Sequence, residues 1–271
     1  MSQLSLDDPA PTPAPSDADR GTLKLVVAYD GTDFHGFAAQ PGQRTVAGEI
    51  AAVVEKVLGH EVPLTCAGRT DTGVHAWAQV VSCAVDASAD PGVVQRAVNG
   101  HLAPEVVVRS AEIVDQGFDA RRSARWRKYR YTIVNRDAPD PFRARYAWWV
   151  PEPLELARMR LASDPFLGEH DFSSFCRKGP EGSTAVRRVF ASEWRDEGDG
   201  LLVYEIRASS FCWQMVRSIV GTLADVGIGK IRPGEILAIL RARDRGAAGR
   251  LAPPGGLCLW DVGYELDTVT P

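Results

Sequence analysis

The sequence predicts an α+β fold in which two similar halves share one mostly antiparallel mixed sheet, with helices packed on one face. Three observations predict it. Short runs of alternating apolar residues recur along the chain, the two-residue period of half-buried strands. Longer segments between them keep i, i+3, i+4, i+7 apolar spacing, the mark of amphipathic helices. The order of these elements before residue 120 resembles the order after residue 121, with no short-period repeat in the residues themselves. A chain of 271 residues is long for one core and short for three, so halves at 22–120 and 121–267 are expected.

Residues 1–21 carry Pro9, Pro11, Pro13 and Pro15 among Asp, Ser and Ala with almost no bulky apolar residue. Such a segment cannot offset its ordering entropy, and a disordered tail is expected. Residues 23–29 form a strand ended by Asp30 and Gly31. Residues 45–58 form a helix with Val46, Ile50, Val53, Val54, Val57 and Leu58 on one face and Gly59 at its end. A short extended piece at 64–67 leads into a glycine-flanked polar loop, and 76–85 is the next strand. Asp90 caps a helix opened by Pro91 and reaching Leu102. A strand at 106–114 closes the first half.

In the second half, 126–134 is a strand and Pro153 opens a helix reaching Leu167. Residues 186–194 and 201–208 are strands. Residues 212–226 read as a strong helix whose stripe is Cys212, Met215, Val216, Ile219, Val220 and Leu223. Pro233 opens a last helix to Arg243, and 257–262 is a final strand.

Nothing approaches roughly 18 consecutive apolar residues, and the N-terminus lacks a secretory pattern, so a cytoplasmic protein with no membrane partner is expected. The five cysteines are scattered and never form C-x-x-C, which fits reduced thiols and offers no metal site. The net charge of −4 argues against phosphate binding, but its distribution argues the other way. Residues 121–145 hold nine basic residues against Asp137 and Asp140, a net +7, with Trp126, Tyr129 and Tyr131 interleaved. Such a run is either a phosphate-gripping surface or a solvated face.

The stretch from Cys66 to Ala76 concentrates the chemistry. Gly68 and Gly73 permit positive φ and close approach of a ligand, while Asp71 stands at the tip with Arg69 two residues away. An arginine near a carboxylate favours the ionised form that a nucleophile or general base requires. A plain turn in which Asp71 bonds its own backbone is equally compatible with these residues.

Residues 68–75, Gly-Arg-Thr-Asp-Thr-Gly-Val-His, resemble the G-R-T-D-x-G-V-H loop of the tRNA pseudouridine synthases of the TruA type. Five other stretches match that family in order. They are Tyr29-Asp30-Gly31-Thr32 with Phe34 and Gly36; Lys128-Tyr129-Arg130-Tyr131; Gly168 to Phe175; Phe211 with Met215-Val216-Arg217; and Gly256-Leu257-Cys258-Leu259. The resemblance implies the pseudouridine synthase fold, a reaction without metal or cofactor, and uridines at positions 38 to 40 of the tRNA anticodon stem-loop as substrate. It also implies a homodimer with one tRNA reaching across both subunits. Within it Asp71 is the essential aspartate, Tyr129 stacks on the flipped uracil, Arg217 pairs with Asp71, and Leu257 forms an apolar wall.

The match has departures. Gly36-Phe37-Ala38-Ala39-Gln40 lacks the tryptophan and basic residue usual in the family, Thr72 replaces a common alanine, and Trp213-Gln214 stands where relatives often carry two histidines. Without the resemblance, Tyr129 reads as a half-buried strand residue and Arg217 as a solvated helix charge. A catalytically silent RNA-binding protein is the competing reading. A glycoside hydrolase would need a second acid near Asp71, and none stands out.

Overall fold

The computed structural model describes residues 20–179 and 182–265; the expected disordered tail lies outside them, apart from Arg20 and Gly21, which open the first strand. In chain order the elements are β1 (Arg20–Tyr29), α1 (Val46–Leu58), β2 (Thr65–Cys66), β3 (His75–Asp86), α2 (Pro91–Leu102), β4 (Val106–Val114), β5 (Trp126–Val134) and β6 (Trp148–Trp149). There follow α3 (Leu156–Ser163), β7 (Gly168–Asp171), β8 (Val186–Asp196), β9 (Leu201–Ala208), α4 (Met215–Gly227), α5 (Ile236–Ala242) and β10 (Leu257–Gly263).

The caps form where the residue types demand them. Thr45 accepts from Gly48 N–H at the head of α1, and Gly59 ends that helix at φ 77°. Asp90 accepts from Gly92 N–H ahead of Pro91 in α2. Beyond Ser163 the chain continues only as a 3₁₀ turn, Asp164–Phe166, because Pro165 has no N–H to extend the α ladder. The helix expected up to Leu167 is therefore shorter. The helix expected from Cys212 begins at Met215, since Gln214 sits in the left-handed region at φ 63°. Its burial is also wider than one stripe: every residue of α4 except Arg217 is buried, the pattern of a central helix rather than a surface one. The strands β6 and β7 went unread because two and four residues, one pair of tryptophans and one polar tetrapeptide, carry no alternation.

All strands belong to one sheet in the order β4-β1-β3-β10-β5-β9-β8-β7, with β2 on β3 and β6 on β5. Strands from before residue 120 lie on one side and those from after it on the other. The last strand joins them: β10 runs parallel to β3, with Cys258 opposite His75, and antiparallel to β5, with Leu259 opposite Tyr129. One face is consistently covered. Leu23, Leu25, Val27 and Tyr29 of β1 and Arg127, Tyr129, Tyr131 and Ile133 of β5 are buried in alternation, and the helices pack in pairs, α1 with α2 and α3 with α4.

Cys176 and Cys212 are paired as a disulfide with Cα atoms 5.8 Å apart, which corrects the reading of five reduced thiols. Cysteines 36 positions apart give no pairing signal in their spacing. Cys66, Cys83 and Cys258 are free.

Burial raises the phenol pKa of Tyr29, Tyr129, Tyr131 and Tyr204 well above the ordinary 10.0. Each raised value favours the protonated, folded form, so the stability it contributes is complete below pH 10 and is lost as pH climbs beyond it. Alkaline titration is expected to leave the fold intact to about pH 10 and then to unfold it cooperatively. Far-UV circular dichroism should be lost together with the ionisation of these buried tyrosines, after any tyrosinate absorbance from the half-exposed Tyr146.

Candidate active site

The loop between β2 and β3 is held from below and behind, leaving its tip exposed to solvent. Tyr29 and Thr70 share a hydrogen bond of 2.7 Å between their hydroxyls, and Phe37 N–H donates to Thr70 O at 3.1 Å. The Gln79 side chain bridges the loop's entry, its Nε2 donating to Gly68 O at 2.5 Å and its Oε1 accepting from Gly68 N–H at 3.3 Å. Val74 N–H returns to Asp71 O at 3.1 Å, so the tip is a tight turn. Of the two glycines expected to take positive φ, Gly73 does so at 76° and Gly68 does not. A Cβ at Gly68 would lie 3.5 Å from the Tyr129 hydroxyl, an ordinary contact that places this part of the loop directly against the ring.

The Asp71 side chain, 27% exposed, projects from that turn towards the head of α4. Its Oδ1 accepts a 2.8 Å hydrogen bond from the indole Nε1–H of Trp213. Its Oδ2 faces Arg217 Nη1 at 3.8 Å, an ion pair without a hydrogen bond. Arg217 is turned aside because its Nε donates to Ala252 O at 2.8 Å. Burial lowers the Arg217 pKa, and the Asp71 carboxylate opposes that shift. Arg69, expected beside the carboxylate, is exposed instead, and the arginine that meets Asp71 comes from 146 residues further along.

Tyr129 lies beneath the loop with its ring edge-on to Phe211 at 4.9 Å. Burial, and then the nearby Asp71 charge, hold its phenol neutral, with Arg127 opposing. The residue opposite it on β10 is Leu259, while Leu257 is buried on the same face two residues away, opposite Tyr131. The cleft therefore combines an anchored carboxylate, a guanidinium, a neutral aromatic ring and an aliphatic wall. Among the described residues, no group of three or more His, Cys, Asp and Glu converges as metal ligands would.

A family model described as tRNA pseudouridine synthase matches residues 25–121 and 162–265, the two stretches that build this loop and the α4 wall facing it. The chain belongs to that family. Curated relatives agree: tRNA pseudouridine synthase A of Bacillus subtilis is 42% identical over 90% of this chain and 99% of its own, and that of Leifsonia xyli is 40% identical over 90% and 92%. The alignment with a solved structure of a Cbf5-Nop10-Gar1 complex reaches a TM-score of only 0.34 at 13% identity, over 88% of this chain and 57% of that one, and carries no argument.

Membership makes this chain an isomerase acting on uridine in tRNA, and it turns attention to the basic stretch. Arg121, Arg122 and Arg125 are exposed. The others are largely engaged within the protein: Arg130 with Glu205, Arg136 with Asp140 and Asp199, Arg143 with Asp140, and Arg145 with Asp30 and Asp33. Arg127 is buried. Its Nε and Nη2 donate to Ala67 O at 3.0 and 2.8 Å, Nη2 also to Arg121 O at 2.8 Å, and Nη1 to Ala124 O at 3.1 Å and Ser209 O at 3.0 Å.

Sequence reading missed two parts of this synthase site. Trp213 was visible as a departure from the family pattern, but its bond to Asp71 spans 142 positions. Arg127 looked like one more member of a charge run, and only its place on the buried face of β5 distinguishes it.

The Arg127 contacts generate a test. Lysine retains the charge but has three donors on a flexible stem, so Arg127→Lys leaves buried carbonyls unmatched. A loss of roughly 3 kcal/mol in unfolding free energy is expected. Urea denaturation measures it, and a variant within about 0.5 kcal/mol of wild type would refute the clamp.

Proposed function

We propose that this enzyme converts uridine to pseudouridine in the anticodon stem-loop of tRNA, at positions 38 to 40, with Asp71 as the catalytic carboxylate and no cofactor. The observation that carries the reading is the setting of Asp71: an accessible carboxylate, hydrogen-bonded by Trp213 and facing the buried Arg217, above the neutral ring of Tyr129. The same reading makes the protein a cytoplasmic homodimer.

The reaction breaks the bond between uracil N1 and ribose C1′, turns the freed base and joins C5 to C1′, after which C5 loses its proton. A stacked uridine must leave its helix first, and aromatic and apolar side chains then replace the lost stacking. Tyr129 offers the ring, and Leu257 with Leu259 the aliphatic wall. Asp71 initiates the cleavage. Arg217, itself half-desolvated, places a positive charge 3.8 Å from Oδ2 in a site from which uracil excludes water. Arg69 is exposed beside the loop and suits a phosphate or ribose contact.

Asp71→Asn tests the chemistry. Asparagine keeps the size and can still accept from Trp213, while the charge and the proton-accepting power disappear. Tritium release from C5-labelled uridine in tRNA should fall by more than about 1000-fold, with filter-binding affinity close to wild type. Residual turnover within about tenfold of wild type would exclude Asp71 as the catalyst, a barrier change of only about 1.4 kcal/mol.

Binding is tested separately. Replacing Arg121, Arg122 and Arg125 together should weaken tRNA binding and flatten the slope of log affinity against log salt by about 0.7–0.9 per lost phosphate contact. An unchanged affinity and slope would make the three a solvated surface.

A further inference from the structure

Among the described residues two groups face the Asp71 carboxylate, and they act differently. Arg217 Nη1 stands 3.8 Å from Oδ2, beyond hydrogen-bond reach, and its Nε is committed to Ala252 O. It supplies charge. The indole Nε1–H of Trp213, at 2.8 Å from Oδ1, supplies direction, because a hydrogen bond of that length fixes the plane and rotamer of the acceptor.

The indole is itself held. Trp213 O accepts from Arg177 N–H at 2.9 Å, and the Arg177 guanidinium lies 4.6 Å from the centre of the indole ring. Cys212, the residue before Trp213, is paired with Cys176, the residue before Arg177. On the other side, Gln214 takes φ 63°, so the chain turns sharply between Trp213 and the first helical residue, Met215. Trp213 is 49% exposed, so this arrangement holds a large aromatic side chain at the cleft with only part of its surface buried.

We propose that Trp213 is the positioning residue of this enzyme: it orients the catalytic carboxylate through Oδ1, so that the remaining lone pairs of Asp71 face the bound uridine while Arg217 contributes charge alone. The proposal rests on the reading of Asp71 as the catalyst. Positioning of this kind acts after the substrate is bound, because a carboxylate that rotates freely still permits tRNA binding but is seldom aligned for reaction. It therefore appears in kcat and not in KM.

Trp213→Phe keeps an aromatic ring beside Arg177 and removes the N–H. In the tritium-release assay kcat should drop about 10- to 100-fold, the range for a hydrogen bond to a charged group, while KM and filter-binding affinity stay within about twofold of wild type. A parallel rise of KM and Kd with kcat unchanged would mean that the indole binds RNA and does not position Asp71. A wild-type chain that forms no pseudouridine overturns the functional reading and this proposal with it. An active wild type beside an equally active W213F overturns this proposal alone.

A second measurement needs neither turnover nor that variant. The seven tryptophans give seven indole N–H signals in a 15N-labelled protein. One of them should move upfield and exchange faster with water in Asp71→Ala, which has no acceptor, and remain near its wild-type position in Asp71→Asn, which has one. If no indole signal responds to Asp71→Ala, the contact is absent and the proposal fails.

Discussion

The Arg127 guanidinium directs all five of its N–H donors at backbone carbonyls drawn from separate stretches: Ala67 at the entry of the Asp71 loop, Arg121 and Ala124 in the crossing between halves, and Ser209 beyond β9. A buried charge costs several kcal/mol unless every polar atom around it is matched, and here each donor finds an oxygen. The desolvation shows in its pKa, which burial lowers. Once that set of contacts closes, the end of β2 cannot move independently of β5, and the loop carrying Asp71 is fixed over Tyr129. The place of the Asp71 loop over Tyr129 is thus tied to a residue that makes no contact with Asp71 itself.

The loop is tied to the clamp through a short series of polar contacts. Ala67 is followed at once by Gly68, which Gln79 holds at both its N–H and its carbonyl, and Thr70 is held by Tyr29. Each of these partners lies on β1 or β3, elements deep in the sheet. The tip then meets α4 from the other half through Trp213 and Arg217. The candidate site is therefore formed where the two sides of the sheet meet, and neither side holds all of its groups.

Arginine use follows the same logic. On the opposite face of the sheet Arg109 lies 4.2 Å from the Trp77 ring, Trp77 stacks on Trp260 at 5.8 Å, and Arg130 lies 3.8 Å from the Trp260 ring while also pairing with Glu205. Such arginines serve packing as much as charge, since a guanidinium is weakly hydrated and stacks on aromatic planes. That explains how a run with a net charge of +7 presents rather few cations to a nucleic acid.

The sequence by itself determined the strands and helices with strong periodicity, the capped start of α2, the glycine end of α1, and the loop with Asp71 at its tip. These are local matters: a two-residue or 3.6-residue period reports burial on one face, and a capping side chain acts within three residues of itself. The six ordered motifs also indicated the family. What the tertiary structure alone decided is which distant groups meet. The placing of β10 between β3 and β5 has no signature in its own seven residues, yet it brings Leu259 opposite Tyr129 and joins the two sides. The exchange of Arg69 for Arg217 as the partner of Asp71, the bond from Trp213, the pairing of Cys176 with Cys212 and the burial of Arg127 all follow from contacts across 36 to 146 positions. Residues so far apart share no period and no local hydrogen bond, so only the closed sheet and the helices packed on it select them.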